Sequence, residues 1–234
     1  DGAVVGDAIS AYDASLVLQH AAGLATLSGS PAIAADVTLN GVPTAYDAAF
    51  ILRKAAGIIP LASPAAGVAW RFDPVSRSYP AFTDDVADQD YVALLFGDVS
   101  GNWGNGPEAG GLGARPVAAL GLVVGAPDVD GSVTATLMLL STEAPIYSLS
   151  LDLAYAGGVP LAAVTGGLTD GWLLAYNTDV PGRVTLAIAG AHPAMAPGAL
   201  ARLRFGPAMP GTRLSLDPVD ADIDEGAVAV VWPG

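Results

Sequence analysis

Apolar and polar residues alternate with the period of a strand along the second half of the chain. Tyr147, Leu149, Leu151, Leu153 and Tyr155 are interleaved with Ser148, Ser150, Asp152 and Ala154, which predicts a half-buried strand. Similar runs fall at Val133–Leu139, Val184–Ala189, Ala199–Phe205, Thr212–Leu216 and Ala227–Trp232. Gly157-Gly158, Gly166-Gly167, Pro181-Gly182 and Pro210-Gly211 punctuate them as turns. Short strands at regular spacing with Gly/Pro turns predict an all-β antiparallel sandwich over residues 117–234.

In the first quarter the period becomes helical and the sequence repeats. Ile9–Leu24 recurs as Pro43–Ile58, 34 residues later, with eight of sixteen positions identical. Each copy predicts one short helix that starts near a Tyr-Asp pair and stops at Gly23 or Gly57. One helix behind one loop is not the helix pair of a tetratricopeptide repeat, although the period fits.

The loop before the second helix carries candidate chemistry. Asp36 to Asp47 spans twelve residues, with Asp36, Thr38, Asn40 and Asp47 at positions 1, 3, 5 and 12 and Gly41 at position 6. This is the spacing of a calcium loop of the EF-hand kind, with Asp where Glu is usual and the Val42 carbonyl at position 7. Calcium is a hard cation that takes six to eight oxygens, so alternate oxygen side chains on a tight turn suit it. An Asp-rich turn with a helix cap is the plainer alternative.

Counting back from Asp13 places Gly2, Val4 and Gly6 at positions 1, 3 and 5 of the first copy, and none offers a side-chain oxygen. The first loop is therefore degenerate, irregular, or supplied with oxygens from elsewhere. Asp98, Ser100 and Asn102 repeat the 1-3-5 pattern within Gly97–Trp103, and Ala109 stands where the closing acid would be. They are a candidate half-site for Asp13 to complete; a plain turn before Trp103 is the alternative.

The paired loop–helix units and the doubled Ala-Tyr-Asp-Ala string resemble a dockerin domain, the calcium-binding module of cellulosome-type assemblies. The resemblance covers residues 1–60 and implies an EF-hand-like, all-α unit with Ca2+ on Asp36, Thr38, Asn40, Val42 and Asp47. It places partner contacts at Ala45, Tyr46, Leu52 and Arg53, with counterparts Ala11, Tyr12, Leu18 and Gln19 in the first copy. Residues 61–106, with strand-like aromatic runs at Trp70–Pro74 and Tyr91–Phe96, resemble the extension that follows such repeats and are expected to pack on them. Within it, Asp84–Asp90 holds four acids in seven residues, read as a carboxylate pair, a cation site or a solvated loop.

A composition break follows. Seven of the thirteen residues from Gly104 to Pro116 are Gly or Pro, which marks 107–116 as an inter-domain linker in a two-domain chain. The sandwich beyond it resembles a cohesin, the jelly-roll module that binds dockerins, through the strings YSLSLDLAY, RVTLAIAG, GALARLRF and DPVDADIDEG. The last of these reads as an acidic hairpin or a further cation site.

Composition narrows the partners. The 234 residues carry 23 acids against nine basic residues, a net charge of −14, which disfavours nucleic acid and anionic membranes. Cys is absent, so disulfides, thiolate metal sites and cysteine nucleophiles are excluded. The apolar stretch Pro116–Pro127 is twelve residues long, against the roughly 20 that a spanning helix needs. Asp1-Gly2-Ala3 has no basic region, and it reads as the start of a mature exported chain, extracellular or at the cell surface.

His20, whose counterpart is Lys54, and His192, before Pro193 in a predicted loop, lack the sequence context of a hydrolytic triad, so no catalysis is expected. The expected function is calcium-dependent self-assembly, with one copy's repeat unit on the next copy's sandwich, closing as rings or running as filaments. The alternatives are a scaffold that links other cohesin- or dockerin-bearing proteins, and a carbohydrate-binding part of a polysaccharide-degrading enzyme, with Trp172 and Tyr176 as platform.

Overall fold

The computed structural model describes residues 8–58, 69–79, 89–103, 115–207 and 213–233. Among the described residues three helices come first: α1 (Ala11–Ala21), α2 (Ser30–Ala35) and α3 (Ala45–Ala55). The repeat explains why α1 and α3 match. Ser10 and Thr44 cap the first turns, and Asp13 and Asp47 reach back to the cap backbone, closing a capping box at each start. Gly23 and Gly57 end them at φ 71, a left-handed conformation that costs glycine little. Ala11, Ala14 and Val17 on α1, and Ala48, Ile51 and Leu52 on α3, form the buried stripes. Fully burying a side chain such as Ile51 or Leu52 contributes roughly 1.5–3 kcal/mol.

Strands β1 (Trp70–Asp73) and β2 (Val92–Leu95) pair antiparallel. Leu95, Phe96 and Val99 join the core formed by the helices. Gly97 N–H donates to the Ala34 carbonyl at 2.9 Å, and Trp70 meets Trp103 edge-to-face at 4.7 Å. Most of the acid run Asp84–Asp90 and of the 107–116 linker lies outside the described residues. The last linker residues are tied down: Arg115 Nη1 donates to the Gly226 carbonyl at 3.0 Å, and the Pro116 carbonyl accepts from Ala229 N–H at 2.9 Å.

The second half is a two-sheet sandwich, as the alternation predicts. Its strands are β3 (Val117–Val124), β4 (Val133–Thr142), β5 (Ile146–Ala156), β6 (Pro160–Thr165), β7 (Leu173–Asn177), β8 (Arg183–Ala194), β9 (Gly198–Phe205), β10 (Ser215–Ile223) and β11 (Ala229–Val231). One sheet runs β11-β3-β4-β9-β6 and the other β10-β5-β8-β7. Leu120, Leu137, Leu149, Leu151, Leu186, Leu203 and Phe205 fill the space between them.

The structure corrects three expectations. The sandwich is not wholly antiparallel, because β11 pairs with β3 in parallel. The acidic string Asp217–Gly226 is mostly strand and not a solvated loop: Asp217, Asp220 and Asp222 belong to β10, paired with β5, and only its end turns back, through the Ile223–Val228 bridge. His192 lies in β8 and not in a loop. Strands β3, β6 and β7 and helix α2, for which the pattern predicts no element, carry too few alternating or periodic residues to be foreseen.

One strand departs from the half-buried pattern, and it positions the site. Val184, Leu186 and Ile188 of β8 point into the sandwich core. Ala187 and Ala189, on its opposite face, are also 0% exposed, and Ala175 of β7 is 6% exposed. These alanines share a core with α1, α3 and the Leu95–Val99 segment. The helical unit therefore lies on the outer face of the β10-β5-β8-β7 sheet, and small side chains let the helices approach closely.

Candidate functional site: two matched acidic loops at the module boundary

Around Asp36 the loop folds back on one carboxylate. Asn40 N–H donates to Asp36 Oδ1 at 3.0 Å and Gly41 N–H to Oδ2 at 2.8 Å. The twelfth residue, Asp47, is fully buried and accepts four bonds. They come from Thr38 N–H at 2.9 Å, Thr38 Oγ1 at 2.8 Å, Thr44 N–H at 2.8 Å and Thr44 Oγ1 at 2.7 Å. Leu39 at φ 56 and Gly41 at φ 93 make the turn. Asn40 Oδ1 accepts from Val42 N–H at 3.0 Å, and the Val42 side chain is exposed.

The segment 98–103 repeats this arrangement across a long gap in sequence. Asn102 N–H donates to Asp98 Oδ1 at 3.1 Å and Trp103 N–H to Oδ2 at 3.1 Å. Ser100 N–H donates to Asp13 Oδ1 at 2.9 Å, as Thr38 does to Asp47. Ser10 N–H donates to Asp13 Oδ2 at 2.8 Å, as Thr44 does to Asp47. Gly101 at φ 74 stands where Leu39 stands in the other loop. The strings Asp98-Val99-Ser100-Gly101-Asn102 and Asp36-Val37-Thr38-Leu39-Asn40 thus hold equivalent places. The first loop is split: its front half comes from 98–103, its closing acid from α1.

The structure accordingly brings Asp98, Ser100, Asn102 and Asp13 together, and Asp36, Thr38, Asn40 and Asp47 together. Each set offers two carboxylates, a hydroxyl and an amide oxygen, a donor set that suits a hard cation. Among the described residues no three His, Asp or Glu side chains are grouped for a metal, so a bound cation would draw on hydroxyl, amide and carbonyl oxygens as well.

One acid reaches this site from the sandwich. Glu225 Oε1 accepts from Ser10 Oγ at 2.7 Å and from Ser100 Oγ at 3.2 Å. Asp224, its neighbour, turns the other way and accepts from Ser148 N–H at 2.7 Å, Ser148 Oγ at 2.8 Å and Tyr147 N–H at 3.1 Å. Sequence reading missed Glu225 as a loop partner, since only the packing of the two halves brings it there. Beside it lies a cleft of about 440 Å³ lined by Ser10, Asn102, Asp152, Asp220, Asp222 and Glu225.

The electrostatics follow from this crowding. Burial pushes the Asp13 carboxyl well above the usual range, Glu225 adds to it, and the Ser10 and Ser100 N–H bonds oppose it. Burial and then Glu225 push Asp222 up to about 6. Asp224 is raised by burial against the pull of its Ser148 and Tyr147 bonds. The Tyr12 hydroxyl is raised by burial, then by Asp224 and Glu225.

The candidate partner residues divide in two. Ala11 is buried, and Tyr12, Leu18 and Gln19 are half-buried on α1, the helix that packs against β8 and β5. On α3, Ala45 and Arg53 are exposed and Tyr46 is 62% exposed, with its ring edge-on to Phe50 at 4.8 Å. Leu52, like Ala11, is buried in the core shared with Ala175, Ala187 and Ala189 of the sheet. Trp172 and Tyr176 pack against the sandwich core, which does not favour a glycan platform. His20 Nδ1 accepts from Leu27 N–H at 3.2 Å and so holds a loop.

No family model and no curated protein matches the chain. Solved structures do, over about half of it. A cohesin module of a family 33 glycoside hydrolase from Clostridium perfringens has 16% identity and a TM-score of 0.41, over 47% of this chain and 84% of that one. A non-cellulosomal cohesin from Archaeoglobus fulgidus has 18% identity and a TM-score of 0.37, over 50% and 86%. A chain of a type II cohesin–X–dockerin complex from Acetivibrio cellulolyticus has 12% identity and a TM-score of 0.40, over 50% and 96%. At such scores these likenesses carry no functional weight, and the sandwich is defined by its own strand order. Among the described residues no helix is long and apolar enough to cross a membrane.

Proposed function

We propose that the chain is a non-catalytic, extracellular interaction protein in which a dockerin-like calcium-binding unit and a cohesin-like sandwich are docking partners for each other. Copies then assemble head to tail by making between chains the helix-on-sheet contact that here closes within one. The observation that carries this reading is the burial of Ala175, Ala187 and Ala189, outer-face residues of the sheet, under α1 and α3. Twelve residue steps separate Trp103 from Arg115, a reach of at most about 40 Å, so the same contact is available within or between chains. The matched bonding of the two acidic loops supports calcium as the ion.

The test is particle size, by light scattering and electron microscopy, across protein concentration in Ca2+ and in EGTA. Growth in Ca2+ that EGTA reverses is expected. A monomer under both conditions at every concentration would overturn self-assembly. A second reading, an adaptor for a foreign partner, is favoured by one observation: Ala45, Tyr46 and Arg53 of α3 stay exposed beside exposed Leu39 and Val42. Mixing the separately expressed halves discriminates, since tight mutual binding supports assembly and silence supports the adaptor.

A further inference from the structure

We infer that Glu225 is a latch that ties docking of the sandwich to cation occupancy of the split first loop. The inference rests on the calcium reading above and adds to it a coupling between the ion and the module boundary. Glu225 follows Asp224 in a turn where both residues are left-handed, at φ 55 and 49, a conformation that L-residues other than asparagine and aspartate rarely adopt, so Glu225 is the unusual one. The turn has a visible result: Asp224 is anchored to the Tyr147 and Ser148 N–H groups of the sandwich, and Glu225 is projected onto the other module. There it bonds Ser10, the cap of α1, and Ser100, the third residue of the loop's front half. One sandwich carboxylate thus touches both chain segments that make up the first loop.

Among the described residues acids outnumber bases around Glu225, where Arg115 bonds the Gly226 carbonyl and Arg183 pairs with Asp152. Asp13, Asp98, Asp222 and Asp224 are the acids around Glu225, with Tyr12 and Tyr147 nearby. Of the ion pairs among the described residues, Arg183–Asp152 stands on the wall of this cleft, and Arg204–Asp130 is formed by residues that do not line it. Asn102 Oδ1, on the wall of the same cleft, has under 1 Å² exposed and no hydrogen-bond partner. A buried acceptor without a donor, next to facing carboxylates, is a place where a hard cation satisfies groups that the protein itself does not. With a cation between Asp13 and Asp98, Glu225 is attracted to the loop and the modules close. Without it, Glu225 is repelled by the same two acids and the boundary loosens.

The test is hydrogen exchange on the full chain, wild type and Glu225→Gln, in Ca2+ and in EGTA. Peptides covering Ala11–Ala21 report the boundary, those covering 36–47 report the second loop, and those covering β5 report the sandwich fold. Wild-type boundary exchange is expected to slow about tenfold on adding Ca2+, the scale of one charge interaction at a partly exposed boundary. Glu225→Gln keeps the acceptor oxygen without the charge, so it should be slow already in EGTA and respond little to Ca2+. If residues 36–47 ignore Ca2+ in the wild type, the calcium reading falls and the latch with it. If they respond, and the wild-type boundary does not or Glu225→Gln responds as fully as wild type, the latch alone falls.

Discussion

Asp222→Asn should flatten the dependence of stability on pH. Asp222 sits on β10 opposite Ser150, and burial and Glu225 raise its carboxyl from an ordinary 3.8 to about 6. The folded chain holds this proton more tightly than the unfolded chain does. The contribution is therefore fully present below about pH 4 and is lost as pH rises through about 6. A displacement of that size corresponds to about 3 kcal/mol against the ionised form at neutral pH. Asn keeps the shape and cannot ionise, so the variant should gain about 2–3 kcal/mol relative to wild type between pH 4.5 and 7.5. Urea unfolding in EGTA, followed by tryptophan fluorescence, reads this directly. With a urea dependence of about 1–3 kcal/mol per molar, the midpoints should separate by roughly 1–3 M at neutral pH and converge near pH 4. Asp13 and Asp224 are raised in the same direction, so both proteins keep part of the slope. Curves that stay parallel across the whole range would refute the electrostatic account of this cleft.

Asp47→Ala removes a fully buried acceptor of four hydrogen bonds and should cost the helical unit about 3–5 kcal/mol, while a loss under 1 kcal/mol by helical circular dichroism in urea would show that the loop re-pairs its donors. Gly190→Ala places a methyl 2.3 Å from the Trp172 ring, and overpacking of this kind should lower sandwich stability by about 1–3 kcal/mol, read as a drop in its calorimetric midpoint. Ala187→Leu has no room beneath α1, so the modules should separate, raising the hydrodynamic radius or the oligomer mass while the sandwich keeps its midpoint. Asp36→Ala should abolish the calcium response of residues 36–47 and leave that of the split loop, measured by exchange at Thr38 and Ser100.

The sandwich was legible because strands declare themselves by period: Leu149, Leu151 and Leu153 alternate with Ser150 and Asp152 in sequence and in burial. The helices were legible because the repeat aligns cap, apolar stripe and terminating glycine in both copies. Ala187 and Ala189 were not legible as buried, since alanine on an outer face looks the same in sequence whether water or another module covers it. Strand β10 was hidden by its acids, because Asp217, Asp220 and Asp222 suggest a solvated turn until β5 supplies the pairing. The half-site at Asp98, Ser100 and Asn102 could be read from its 1-3-5 spacing, and its junction with Asp13 could only be guessed. Glu225 stood out only as one acid of the DPVDADIDEG string; its place at the first loop comes from a contact between residues 215 positions apart.

The split also makes the two loops unequal despite their matched bonds. In the second loop Thr38 and Asp47 are nine residues apart, whereas Ser100 and Asp13 are 87 apart. Loop-closure entropy rises as 1.5 RT times the logarithm of length, so closing the first loop costs about 2 kcal/mol more. The second loop can form with its own helix as a local unit. The first requires the 98–103 segment to be in place, with Leu95, Phe96 and Val99 seated in the helical core, and it borrows Glu225 from the sandwich. An ion bound at the second loop would stabilise one helix start, and the same ion at the first would act on helix, extension and sandwich together. That asymmetry gives part of the acidic composition a structural meaning: Asp13, Asp98, Asp222 and Glu225 are gathered where a cation would act on the contact between modules.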